Sequence, residues 1–202
     1  MPGEGFQRGS GPTRVFLNVP YNRSYERMLV ALTAALVAVG RVPKLTFQIP
    51  DGGQGRLRRI FALLKSCRVS IHDLSAVGMP VRFNMPFELG LACAIKQQSG
   101  NHNFLILERK PHRLHHHLSD VGGIDPKIHH GTARGAISAV LEVLNKPGGN
   151  PSTAEVMKLY RRMMKVVPDL KAQHGNRDLF STRVYGELVT SCWVAVREMG
   201  LN

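Results

Sequence analysis

The chain has 202 residues, 43% of them hydrophobic and 20% charged, with a formal net charge of +13 and a pI near 10.3. That balance excludes an intrinsically disordered chain and suits one medium domain, or one domain with a helical appendage. The positive excess favours anionic partners such as nucleotides, nucleic acid or an acidic protein, without choosing among them.

Residues 1–13 carry four glycines and two prolines with little that is apolar, and read as a disordered tail. Their lack of an apolar core predicts no secretory leader and a cytoplasmic location. Arg14 to Val19 reads as a first buried strand, followed by the loop Pro20-Tyr21-Asn22-Arg23-Ser24. A long apolar helix then runs to Val39 and stops at Gly40. Its apolar stretch from Met28 is twelve residues long, too short to span a bilayer, so it predicts a buried helix and no membrane partner. Lys44 to Ile49 alternates as a second strand. After the turn-rich 50–55 segment, Leu57, Ile60, Phe61 and Leu64 mark one face of an amphipathic helix. Arg68 to Asp73 is the third strand, Phe87 to Lys96 the third helix, and Asn103 to Leu107 the fourth strand.

Strands alternating with helices at this spacing predict a doubly wound, flavodoxin-like α/β fold with a parallel sheet of about four to five strands. It occupies residues 14–145, closing with a helix from Thr132 to Leu144. Residues 109–131 form a long polar connection rich in histidine (His112, His115, His116, His117, His129, His130). With no Asp or Cys at ligand spacing, this reads as a solvated loop and not a metal site. Residues 146–151 are a linker, and 152–202 form a helical extension. Its two apolar faces need cover, from the α/β domain or from a second copy of the chain. Lys158, Arg161, Arg162 and Lys165 make a basic stripe on it. Cys67, Cys93 and Cys192 are far apart and read as free thiols in a reducing compartment.

Two carboxylates stand out. Ile71-His72-Asp73-Leu74-Ser75 ends a strand, and Asn84-Met85-Pro86-Phe87-Glu88-Leu89-Gly90 opens a helix. In an α/β fold both lie at the carboxyl edge of the sheet, where ligands bind. Glu88, in a first helical turn, is expected to stay ionised at neutral pH under the helix dipole. Asn84 sits one turn before Glu88 and points to the same pocket, and both also read as simple helix caps. Asp73 reads as a member of that group or as a turn cap with Ser75. In the loop after the first strand, Tyr21 is a candidate to stack on a base. Asn18 is a candidate to hydrogen-bond a ribose hydroxyl or an amide. Gly52-Gly53-Gln54-Gly55-Arg56 leads into a helix N-terminus and makes Gln54 a candidate phosphate contact, although it matches no Walker loop and no G-x-G-x-x-G pattern.

Val15-Phe16-Leu17-Asn18-Val19-Pro20-Tyr21, Ile71-His72-Asp73-Leu74-Ser75 and Asn84-Met85-Pro86-Phe87-Glu88-Leu89-Gly90 together resemble the nucleoside 2-deoxyribosyltransferases and the related TIR-like nucleotide-binding domains of bacteria. The resemblance covers about residues 14–145. It implies Glu88 as the nucleophile or stabiliser of a sugar cation and Asp73 as a helper on the base side. It requires no cofactor or metal, NAD entering as a substrate. The histidine-rich loop and the basic tail depart from that pattern. Three functions stay open: cleavage or transfer at the N-glycosidic bond of a nucleoside or NAD, a nucleotide sensor that signals or assembles through its tail, and a nucleic-acid binder.

Overall fold

The computed structural model describes residues 13–49, 53, 55–75, 83–112, 118 and 124–201. The expected tail, apart from Thr13, lies outside them, as do Gln54 and His115–His117. Five parallel strands form the sheet: β1 (Arg14–Asn18), β2 (Val42–Lys44), β3 (Val69–Asp73), β4 (Asn103–Glu108) and β5 (Lys127–Ile128), in the order β2-β1-β3-β4-β5. Helices α1 (Glu26–Ala38), α2 (Arg56–Ser66), α3 (Asn84–Ser99) and α4 (Ala133–Val143) complete the doubly wound α/β unit. α5 (Thr153–Gln173) and α6 (Thr182–Glu198) follow. Strand order reverses between β1 and β3, so the loops leaving these two strands part to opposite faces and open a crevice.

Side-chain alternation in β1 and β3 divides the core. Val15, Leu17 and Ile71 face α1 and α4, whereas Phe16 joins Ile60, Leu64, Ala92 and Ile95 beneath α2 and α3. Every residue of α1 from Met28 to Ala38 is buried. A helix apolar on all sides must be covered on all sides. The sheet covers one side of α1, and α4, α5 and α6 cover the others. The helical extension therefore packs on the α/β unit, where Leu159, Met163, Val184 and Leu188 enter the same core as Leu29 and Leu36. Thr33 of α1 and Tyr185 of α6 share a buried hydrogen bond of 3.0 Å.

The 146–151 segment is a pinned turn. Asn150 Nδ2 donates to the carbonyls of Leu141 and Leu144 at 2.7 Å each, and its Oδ1 accepts from Lys146 N at 3.0 Å. Two strands differ from the sequence reading. The second is Val42–Lys44, and the alternating residues after it form a 3-10 turn at Thr46–Gln48, where the Gln48 side chain accepts from Leu45 N at 3.0 Å. The fifth lies inside the stretch read as a loop. Among the described residues no helix is long and apolar enough to cross a membrane.

Candidate functional site

Two cavities open at the carboxyl edge of the sheet, with Pro20 in the wall of both. The smaller, about 350 Å³, is lined by Asn18, Val19, Pro20, Tyr21, Arg56, Asn84, Met85 and Glu88. It brings together Asn18, Tyr21, Asn84 and Glu88. The larger, about 630 Å³, lies across the end of β1 and is walled by Ser24, Tyr25, Arg27, Ser75, Arg109 and His129, among others.

Glu88 is the fifth residue of α3, one turn deeper than expected, and it is 3% exposed. Its burial pushes the carboxyl up to about 7 from an ordinary 4.5, against the opposing pull of Arg56. The expectation of a fully ionised Glu88 at neutral pH is thus corrected. Desolvation outweighs a helix dipole worth about 0.3–1 kcal/mol at most exposed sites. Arg56, the first residue of α2, places Nη2 3.9 Å from Glu88 Oε1. Asn84 is the first residue of α3, and no side chain caps that helix. Pro86 is tolerated in the first turn because its missing N–H has no helical partner there.

Tyr21 is held from two sides. Its ring packs on Phe47 and Phe180 with centroids 5.4 and 5.3 Å away, and its hydroxyl accepts from Thr46 N at 3.1 Å. Any base stacking on Tyr21 competes with packing already made. Asn18 is 2% exposed, and its Nδ2 lies 3.0 Å from both His72 Nδ1 and the carbonyl of Met85.

The structure does not bring Asp73 to Glu88. Successive strand residues face opposite sides of the sheet, so His72 turns toward Phe16, Phe104 and α3, and Asp73 turns toward α1. Asp73 is fully buried beneath the larger cavity. It accepts from the Tyr25 hydroxyl and from the N–H and hydroxyl of Ser75. Burial alone would raise its carboxyl. Donors from His129, Ser75 and Tyr25 outweigh that and hold it below its ordinary value.

His129, read from sequence as part of a solvated loop, is 1% exposed. Its Nε2 stands 2.7 Å from Ser75 Oγ and 3.4 Å from Asp73 Oδ2. This Ser-His-Asp grouping lacks the wiring of a nucleophilic triad. The N–H of Gly131 donates to His129 Nδ1 at 2.9 Å, so the ring carries its proton on Nε2. The histidine therefore offers Ser75 a proton and not a base, and Ser75 already directs its own proton at Asp73. The cluster rigidifies the edge of the sheet. In the sequence its one signal is Gly131-Thr132, the turn and cap that fix His129 before α4, with Thr132 Oγ1 accepting from Gly135 N at 3.0 Å. Among the described residues no group of His, Cys, Asp and Glu is arranged to hold a metal ion.

No protein-family model matches the chain, and no curated protein matches it.

Proposed function

We propose that the protein breaks the N-glycosidic bond of a nucleotide in the Asn18–Glu88 cavity, with a pyridinium nucleotide of the NAD type as the favoured substrate. One observation carries this: Glu88 is a desolvated carboxyl at the crevice of the sheet, and no second carboxyl stands among the described residues lining its cavity. As the C1′–N bond breaks, its electron pair departs with the base and C1′ becomes cationic. A desolvated carboxylate stabilises that cation or bonds to it, and water or a second hydroxyl then takes its place, releasing a proton. The leaving nitrogen of a neutral nucleoside needs a proton, and hence an acid beside it. A pyridinium needs none, because it leaves as neutral nicotinamide. A cavity with one carboxyl fits the second case.

Arg56 suits a phosphate-bearing ligand. The exposed Leu57, Phe83 and Phe87, each adjacent in sequence to a cavity residue, offer apolar surface to a planar base.

The test is to incubate the protein with NAD, nucleosides and deoxynucleosides and to follow free base by chromatography, with Glu88→Gln in parallel. Nicotinamide released by the wild type and not by the variant sustains the reading. The wild-type rate then rises with pH through about 7, as Glu88 ionises. Equal release by both proteins removes Glu88 from the chemistry. Saturable binding without release makes the protein a nucleotide sensor instead.

A further inference from the structure

A buried chain of hydrogen bonds runs under the sheet from the Glu88 cavity to its far edge. From Asn18 Nδ2 it passes to His72 Nδ1 at 3.0 Å, and from His72 Nε2 to Ser70 Oγ at 2.8 Å. It continues from Ser70 Oγ to His102 Nε2 at 2.9 Å and from His102 Nδ1 to the carbonyl of Cys67 at 2.9 Å. Asn18, Ser70, His72 and His102 are each at most 2% exposed.

Both ends of this chain are anchored on backbone carbonyls, which only accept. At one end, the carbonyl of Cys67 requires the proton of His102 on Nδ1. His102 Nε2 then accepts from the Ser70 hydroxyl, and Ser70 Oγ accepts from His72 Nε2–H. That leaves His72 Nδ1 as an acceptor facing Asn18. At the other end, the carbonyl of Met85 lies 3.0 Å from Asn18 Nδ2 and independently requires the amide nitrogen on that side. The two anchors agree on one direction for every proton. Burial, with His102 beside it, pushes His72 down to about 3, so the ring stays neutral and the direction holds at working pH. Burial likewise lowers His102.

Both amide protons of Asn18 are therefore spent inside the fold, one on His72 and one on Met85. The one polar side-chain atom of Asn18 left for the cavity it lines is its amide oxygen, a pure acceptor. We infer that Asn18 is a specificity-determining residue that selects a ligand group able to donate a hydrogen bond, a hydroxyl of the sugar, and that His72, Ser70 and His102 are positioning residues that fix its polarity. The identity of that group as a sugar hydroxyl rests on the glycosidic reading above; the direction of the amide does not. A site built to hold a hydroxyl rejects the analogue lacking it far more strongly than an apolar site rejects a missing methylene. The buried acceptor would otherwise stand unpaired.

Two measurements test this. In protein carrying ¹⁵N-labelled histidine, NMR from pH 5 to 8 is expected to find the proton of His72 on Nε2, with that ring not titrating, and at pH 8 the proton of His102 on Nδ1. A His72 protonated on Nδ1, or on both nitrogens, overturns the assignment whatever the ligand. The second measurement is calorimetric titration of Glu88→Gln, which binds without turnover, using NAD and the analogues lacking the 2′- or the 3′-hydroxyl of the nicotinamide ribose. One of the two analogues is expected to bind about tenfold or more weakly than NAD. Adding Asn18→Ala should reduce that ratio to within about threefold. Ser70→Ala, outside the cavity, should lower the ratio and disturb the His72 tautomer while the protein stays folded by circular dichroism. A ratio unchanged in Asn18→Ala overturns the role of Asn18. Failure of NAD and all nucleosides to bind, with the tautomers as assigned, overturns the glycosidic reading and with it the sugar hydroxyl.

Discussion

Replacing Glu88 by Gln is expected to stabilise the protein above neutral pH and to leave its stability unchanged in acid. In the unfolded chain this carboxyl ionises near its ordinary 4.5, and in the folded protein near 7. Below pH 4.5 both states hold the proton, and the wild type pays no penalty. Between 4.5 and 7 the unfolded chain has released the proton and the folded protein has not, so stability falls as pH rises. Above 7 it levels off, lower by about 3 kcal/mol. Glutamine has nearly the same shape and no charge to desolvate, so the variant escapes this loss. Arg56, the one charged residue besides Glu88 among those lining the cavity, loses its anion. Its side chain is 56% exposed, and such a pair is worth at most about 1 kcal/mol. For a chain of this length the net gain raises the melting temperature at pH 8 by about 5–10 °C. Thermal melts of both proteins at pH 4.5, 6, 7 and 8.5 give the curve directly. A difference independent of pH, or a variant that melts lower at pH 8.5, would refute the reasoning. A side chain whose removal strengthens the fold is retained for something other than stability.

Three further perturbations probe the surrounding frame. Gly135→Ala places a Cβ 2.2 Å from the carbonyl oxygen of His129, backbone against backbone, and should cost about 2–4 kcal/mol in urea denaturation; a neutral result would contradict the close approach of α4 to that loop. The stability that a neutral His72 confers is fully present above its unfolded value of 6.5 and is lost as pH falls toward about 3. Urea midpoints between pH 7 and 4 should accordingly fall more steeply for the wild type than for His72→Gln, and parallel slopes would argue against a buried neutral ring. Asn150→Ala removes the side chain that accepts from Lys146 and donates to two carbonyls of the α4 terminus. It should lower stability by about 1–2 kcal/mol, and no change in the melting temperature would mean that the turn holds itself.

The doubly wound fold was legible because its signals are repetitive. Apolar strand runs alternate with helical stripes such as Leu57, Ile60, Phe61 and Leu64, of which Ile60 and Leu64 are buried while Leu57 stays exposed. The second strand was misplaced because Leu45, Phe47 and Ile49 alternate like a strand, whereas a Gln48 side chain closes them into a turn. The fifth strand has two residues, Lys127 and Ile128, and no pattern can mark so short an edge. At the site, Asn18, Tyr21, Asn84 and Glu88 converge as edge-of-sheet logic expects. Asp73 does not, for a reason of parity: at the end of β3 a one-residue step exchanges the two faces, and His72 holds the side nearer α3. The elevated Glu88 carboxyl was hidden because its burial depends on α2 and on the loop after β1, both distant in sequence. His129 was hidden by its neighbours, since a buried histidine inside a polar, histidine-rich stretch carries no compositional mark.

Glu26, at the start of α1, accepts from Lys171 near the end of α5 and from the N–H of Leu179 in the connection to α6. One residue earlier, Tyr25 donates to Asp73 at the ligand edge of the sheet. The two C-terminal helices are thus bolted to the frame of the crevice through the first turn of a helix that touches them along its length. The exposed Lys158, Arg161, Arg162 and Lys165 of α5 therefore sit on an element tied, through that first turn, to Tyr25 and the wall of the larger cavity, which shares Pro20 with the smaller one.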